Sequence, residues 1–173
     1  MKKRLLMVLL SVLAPFILYA GDYDFAIDMG KLQFEWKVDG SNLNIFLKAK
    51  TKGWVGVGFN PKKMMKGANI LIGKVKGSKV TIRDDYGSAR DKHKSDKKLG
   101  GKKNVTNISG SEIAGVTELK FTIPLNSGDS KDTSIDVNKD ITMIFAYGNS
   151  DSFRLGHKFV KTISVNLSTG KYQ

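Results

Sequence analysis

Two methionines and one histidine are the residues of this chain whose types suggest a cofactor site. Met64 and Met65 follow a polar turn after the segment 53–59, where no strand position would obviously pack them. His157 lies far downstream, just before the last apolar run. One Met and one His brought together across a fold could be the two axial ligands of a b-type haem, a ligand pair established in electron-transfer haems. Because Met is more often an adaptable core filler and a single His is more often a surface residue, the residue types alone leave both interpretations open.

The rest of the chain offers few residues for catalysis. It contains no Cys, which excludes a thiolate nucleophile, a Cys-ligated metal and the covalent C-x-x-C-H haem attachment. A haem would therefore be held non-covalently. The second histidine, His93, lies in a basic segment, where we expect a solvated side chain. Asp84 and Asp85 are neighbours in a strand-like segment, so their side chains should point to opposite faces and not form an acid/base pair. We expect no enzyme active site in this chain.

Alternating apolar and polar residues predict an all-β fold that positions these side chains. The segments 32–38 and 43–49 alternate with period two around the turn-forming residues 39–42, which predicts a hairpin. The segments 70–75 and 79–84 predict a second hairpin. Further strands are predicted at 54–59, 105–108, 119–123, 141–147 and 159–167. Eight or more short strands separated by turn residues are typical of an antiparallel β-sandwich in a single domain.

Two of these strands carry additional signals. Gly56 and Gly58 leave space on one side of their strand, as happens where a ligand or another backbone comes close. The run Ile141–Tyr147 is almost continuously apolar, so we expect a central strand that is buried on both faces.

The first twenty residues are typical of a secretory signal. A basic start at residues 2–4 precedes the apolar stretch 5–18, which is shorter than the ~20 residues that span a membrane. We therefore predict a signal peptide at 1–20, a single β-sandwich domain at 21–173, and a periplasmic or secreted protein with no stable membrane insertion after cleavage.

The charge of the chain indicates a class of partner. The formal net charge is +13, and the segment 88–103 is a strongly basic, apolar-poor loop that we expect to be solvated. Nucleic acid is not expected, because the chain has an export signal and lacks an aromatic RNA-binding signature. An acidic redox protein or a membrane-bound oxidoreductase is the expected partner, steered by this charge.

The segment from Gly53 to Gly73 resembles the DOMON family. That family's pattern is a G-W-x-x-x-G-F strand, a loop with M-x-G-A-D, an apolar strand ending in Gly, a later D-x-Y and a His before the final strand. The corresponding residues here are Gly53, Trp54, Gly58, Phe59, Met65, Gly67, Ala68, Asn69, Gly73, Asp84, Tyr86 and His157. One departure is Asn69, where the family usually has Asp.

The resemblance implies an immunoglobulin-like β-sandwich of the haem-b-binding type, like the cytochrome domain of cellobiose dehydrogenase. Carried over residue by residue, it implies Met65 and His157 as the axial haem ligands. Met64 is a rival for the first position, and Lys158 is a weaker rival for the second, since some relatives use Lys. Apolar side chains that could wall the pocket are Phe59, Ile72, Tyr147 and Phe153.

Together these observations lead to one main hypothesis and one alternative. The main hypothesis is an exported b-type cytochrome that transfers single electrons to or from a redox partner and breaks no bonds itself. The alternative is a DOMON module without haem that binds a carbohydrate or another small ligand.

Overall fold

The computed structural model describes residues 22–173, and the predicted signal peptide lies outside them. Eleven strands and one short 3₁₀ helix, Asp96–Leu99, are present in this range. The strands are β1 (Phe25–Asp28), β2 (Leu32–Asp39), β3 (Asn42–Ala49), β4 (Val55–Phe59), β5 (Asn69–Lys76), β6 (Lys79–Tyr86), β7 (Lys94–Ser95), β8 (Thr106–Ile113), β9 (Val116–Pro124), β10 (Asp140–Tyr147) and β11 (Phe159–Asn166). Across residues 22–173, no helix combines the length and apolar character needed to span a membrane.

The strands form two antiparallel sheets that pack face to face. One sheet has the order β1-β2-β3-β9-β8, and the other has the order β11-β10-β4-β5-β6-β7. The all-β, single-domain, immunoglobulin-like sandwich predicted from the sequence is confirmed. Both predicted hairpins are present, as β2–β3 and β5–β6.

The core lies between the sheets and is built from the inward half of each alternating strand. In β2, Leu32, Phe34 and Trp36 are buried, whereas the residues between them are partly exposed. The Trp36 ring stacks on Phe34, and its Nε1–H donates a hydrogen bond of 2.9 Å to the Leu167 carbonyl. Because a buried indole N–H needs an acceptor, this bond fixes the ring and joins the first sheet to the end of β11.

Strand β10 differs from its prediction in a way that defines the site. It is an interior strand next to the edge strand β11, but only its inward residues Ile141, Met143, Phe145 and Tyr147 are buried. The outward residues between them are exposed or half-buried, so the expectation of burial on both faces was wrong. An almost continuous apolar run is compatible with a strand that is covered on both faces and equally with a strand whose apolar outer face is left open. The second sheet therefore has an apolar outer face.

Candidate ligand-binding site on the outer face of the second sheet

A cavity of about 340 Å³ lies on this apolar outer face. Strand register places its floor residues in two rows that cross β11, β10, β4 and β5. Both rows consist of small or apolar residues apart from one threonine. One row is Thr162, Ile144, Gly58 and Ile70, and the other is Val160, Ala146, Gly56 and Ile72.

Gly56 and Gly58 occupy the middle of the floor, where they leave space on one side of their strand. A Cβ atom built on Gly58 would have Ile70 Cγ1 as its nearest neighbour, at the ordinary contact distance of 3.4 Å. At Gly56 the nearest atom would be the Leu71 carbonyl oxygen, at 3.1 Å. The fold itself therefore does not require glycine at position 58. The missing side chain instead leaves space in the cavity.

The loop between β4 and β5 brings both methionines to the cavity. Met65 is half-buried, whereas the Met64 side chain is 59% exposed and its backbone has a φ of 51°. The Met65 amide donates to the Arg90 carbonyl, and the Met65 carbonyl accepts from the Ala68 amide, each at 3.1 Å. A Cβ on Gly87 would lie only 1.6 Å from the Met65 carbonyl oxygen, so this loop fits only against a glycine.

The loop between β10 and β11 contributes His157 from the other end of the sheet. Tyr147 pairs with Val55 and Phe159, so this loop leaves the sheet at the end opposite to the β4–β5 loop. The Lys158 amide donates to the Tyr147 carbonyl at 2.8 Å, which ties the loop to β10 beside the histidine. His157 is exposed and lines the cavity. The two predicted ligand residues thus reach one cavity from opposite ends.

Two further polar groups border the cavity. Arg90 is exposed at its edge. Trp54 is 6% exposed, and its Nε1 is buried without a hydrogen-bond partner. A buried indole N–H usually has an acceptor. Trp54 therefore carries a buried donor next to the cavity, and Arg90 places a positive charge at its edge.

Only one of the four residues that were predicted to form the pocket wall lines the cavity. Ile72 lines the cavity. Phe59 and Tyr147 point inward and belong to the core between the sheets, and Tyr147 stacks on Phe159. Phe153 is not among the cavity-lining residues, and its ring lies beneath the cationic ends of Lys74 and Arg83.

Most of the floor was not singled out from the sequence. Ile70, Ile144, Ala146 and Val160 become a surface only through the pairing of four strands. The signal that could have found them is the register relative to Gly56 and Gly58, because residues two apart on a strand share a face.

His93 also differs from its expectation. The sequence suggested a solvated side chain, but His93 Nδ1 lies 2.6 Å from Oδ2 of Asp85, a fully buried carboxylate. Arg83 binds the same carboxylate. Asp84, as predicted, faces the opposite side of the strand and contacts neither of these groups.

Comparisons with known proteins place this fold in a family. The sequence model of the DOMON domain family matches residues 28–148. The DBH-like monooxygenase protein 1 of Homo sapiens is 28% identical over 130 residues, and that of Mus musculus is 26% identical over 130 residues. Each alignment covers 75% of this chain, but the chain spans only 20% of the length of those relatives.

Solved structures of similar fold include two cytochrome domains. The cytochrome b domain of pyranose dehydrogenase from Coprinopsis cinerea superposes with a TM-score of 0.62 at 12% identity, over 81% of this chain and 78% of that one. The cytochrome domain of Myriococcum thermophilum cellobiose dehydrogenase gives a TM-score of 0.60 at 13% identity, over 85% and 84%. At such identities the similarity shows a shared fold. Because the family model covers most of the sandwich, the chain belongs to the DOMON domain family.

Proposed function

We propose that this protein is a b-type cytochrome that binds haem non-covalently, with Met65 and His157 as the axial ligands. One observation carries the proposal: a single apolar cavity is lined by a methionine from one end of the sheet and a histidine from the other. The fold that the chain shares with two cytochrome domains supports it.

The residues that form the cavity fit such a group. Its volume falls in the range of about 300–1,000 Å³ that is usual for small-molecule sites. The floor is apolar, and Gly56 and Gly58 allow a flat ligand to approach the backbone. Met65 and His157 line the cavity from loops at opposite ends of the sheet, and they would hold the haem iron. The exposed Arg90 is a suitable partner for a carboxylate group at the edge of the ligand.

A bound haem would supply one-electron chemistry, and the protein's own residues would set its environment. The apolar floor would exclude water from one side of the group, and the thioether of Met65 would raise its reduction potential. Among residues 22–173, those lining the cavity include no Asp or Glu. We therefore propose that the chain transfers electrons and that bond-breaking steps belong to another protein.

The alternative, a haem-free module that binds a carbohydrate, has less support from the cavity. Sugar sites stack the ligand on exposed aromatic rings, and the one aromatic ring that lines this cavity, Trp54, is almost completely buried. The floor also offers few hydrogen-bonding side chains.

The basic loop at 88–103 is the proposed docking surface for an acidic redox partner, outside the cytoplasm. Its seven cationic residues are all exposed, and they are Arg90, Lys92, Lys94, Lys97, Lys98, Lys102 and Lys103. Arg90 lies both in this loop and at the edge of the cavity, so a partner docked here would lie next to the ligand. Complementary charge of this kind accelerates encounter and orients the partner.

Paired alanine variants test the ligand assignment. We expect Met65→Ala and His157→Ala each to lose the six-coordinate low-spin haem spectrum while the far-UV circular dichroism of the sandwich is unchanged. Met64→Ala and Lys158→Ala are the matched controls, because each changes the neighbouring residue on the same loop. A spectrum that survives Met65→Ala and is lost in Met64→Ala would place the ligand one residue earlier. A spectrum that depends on Lys158 and not on His157 would reject the histidine.

A further inference from the structure

Three aspartates from distant parts of the chain meet on the side of β6 that faces away from the cavity. Asp84 belongs to β6, Asp96 begins the 3₁₀ helix, and Asp132 lies in the connection between β9 and β10. One carboxylate oxygen from each lies within 4.8 Å of the other two. Asp84 is 3% exposed and Asp96 is 0% exposed, while Asp132 is half-buried.

The oxygens of this cluster have few hydrogen-bond partners. Both carboxylate oxygens of Asp96 are buried without a partner, as are Oδ1 of Asp84 and Oδ1 of Asp132. The remaining oxygens accept one bond each, Asp84 Oδ2 from the Asn104 amide at 2.7 Å and Asp132 Oδ2 from Ser127 Oγ at 2.5 Å. A completely buried carboxyl group with no partner is rare in proteins and calls for a ligand.

Two other aspartates nearby show that the fold can satisfy a carboxylate. Asp85, the neighbour of Asp84, is also fully buried, but Arg83 and His93 bind both of its oxygens. Asp129 accepts hydrogen bonds from the amides of Lys102 and Lys131. In contrast, no lysine, arginine or histidine of residues 22–173 forms an ion pair with Asp84, Asp96 or Asp132.

Without a cation, this cluster is electrostatically unfavourable. Burial, and secondarily the neighbouring aspartates, raise the pKa of Asp84 to about 7 and that of Asp96 to about 8. Burial raises the pKa of Asp132 as well. Protonation would remove the repulsion and would let Asp96 and Asp132 share a hydrogen bond, but it would leave Oδ1 of Asp84 without a partner. A divalent cation would remove the repulsion and also bind the oxygens.

We propose that Asp84, Asp96 and Asp132 form a Ca²⁺ site. The ligand set contains only hard carboxylate oxygens, which suit Ca²⁺ and not the transition metals that prefer His or Cys. Two oxygens on opposite sides of a Ca²⁺ ion, each at about 2.4 Å, are about 4.8 Å apart. The side-chain oxygen Oδ1 of Asn104 is also buried without a partner among residues 22–173, and the Asn104 amide binds Asp84, so this residue is a further candidate ligand.

The proposed ion would add a link between three segments that lie far apart in the sequence. It would fasten the 3₁₀ helix, which carries Lys97 and Lys98, to β6 and to the β9–β10 connection. The ion would thereby hold the basic loop in place on the sandwich. None of its ligands lines the cavity described above, so the Ca²⁺ site does not depend on haem binding.

Calorimetry and thermal melting on haem-free protein test the proposal. The protein is first treated with a chelating resin and then titrated with Ca²⁺ or Mg²⁺. We expect one saturable Ca²⁺ per chain, and a Tm increase of about 5–10 °C at a hundredfold excess over the Kd. Mg²⁺ should give a much smaller increase, because it requires near-ideal octahedral geometry.

Two single-residue variants connect the binding to the cluster. Asp132→Asn should fold, because it removes one charge from a repulsive group, and it should weaken Ca²⁺ binding at least ~10-fold, since ligand charge tunes affinity. Asp136→Asn is the matched control, because Asp136 is an exposed aspartate of the same connection and should leave the Kd unchanged. An equal loss in Asp96→Asn would confirm the site. The proposal is overturned if wild type shows no heat and no Tm shift at millimolar Ca²⁺, if Mg²⁺ binds equally well, or if Asp132→Asn binds as wild type does.

Discussion

Replacing Gly58 should separate ligand binding from folding. Gly58 lies in the middle of the cavity floor, and an added Cβ would make only an ordinary 3.4 Å contact with Ile70. Glycine inside a strand costs roughly 0.5–1 kcal/mol relative to alanine, so Gly58→Ala should stabilise the haem-free protein by about that amount. Gly58→Leu would place three further carbon atoms in the space that a bound group needs.

The loss of haem affinity expected for Gly58→Leu follows from the free-energy cost of overpacking a filled site. Forcing extra carbon atoms into a packed space costs typically ~1–3 kcal/mol, which corresponds to a haem affinity about 5- to 150-fold weaker. Haem titration followed by absorption gives the affinity, and urea unfolding of the haem-free protein gives the stability. Thr106→Leu adds similar bulk to an exposed position on the other sheet and should leave haem affinity unchanged.

Two results would refute this reasoning. If Gly58→Leu binds haem as tightly as wild type does, the ligand does not lie over Gly58. If Gly58→Ala lowers the free energy of unfolding, position 58 has no spare space and the glycine serves packing alone.

Three further changes probe the surroundings of the cavity. Gly87→Ala should weaken haem binding at least ~10-fold with the sandwich intact, because its Cβ would collide with the Met65 carbonyl; unchanged affinity would show that this loop can move freely. Trp36→Phe removes a buried hydrogen bond to the Leu167 carbonyl and should lower the free energy of unfolding by about 1–3 kcal/mol without changing haem affinity, as urea denaturation and haem titration would show. The double variant Lys97→Glu, Lys98→Glu should slow electron exchange with an acidic redox protein in stopped-flow experiments, and the rate should depend less on ionic strength than in wild type. An unaltered rate would show that the partner does not dock on these two lysines.

The fold was predictable because its strands carry their own periodicity. Strand β2 alternates cleanly, and the turn at Gly40 is flanked by residues that favour turns, so the hairpin with β3 followed from local sequence. The same periodicity did not say which side of a strand faces the core. Phe59 and Tyr147 were therefore assigned to the cavity wall, whereas they lie in the core.

The site was predictable only in part. Met65 and His157 were singled out by type and by family pattern, and the structure brings both to one cavity. The apolar floor required the pairing of four strands, which no local pattern encodes. Asp96 and Asp132 could not be grouped from the sequence, because they lie 36 residues apart in polar loops and meet only through tertiary packing.

The absorption spectrum of the purified protein after haem addition tests the proposed function most directly. The spectrum is recorded in the oxidised state and again after reduction with dithionite. We expect one haem per chain, with the sharp reduced bands of a six-coordinate b-type haem. No binding, or only the broad absorption of loosely associated haem, would contradict a cytochrome and leave the cavity to a different small ligand.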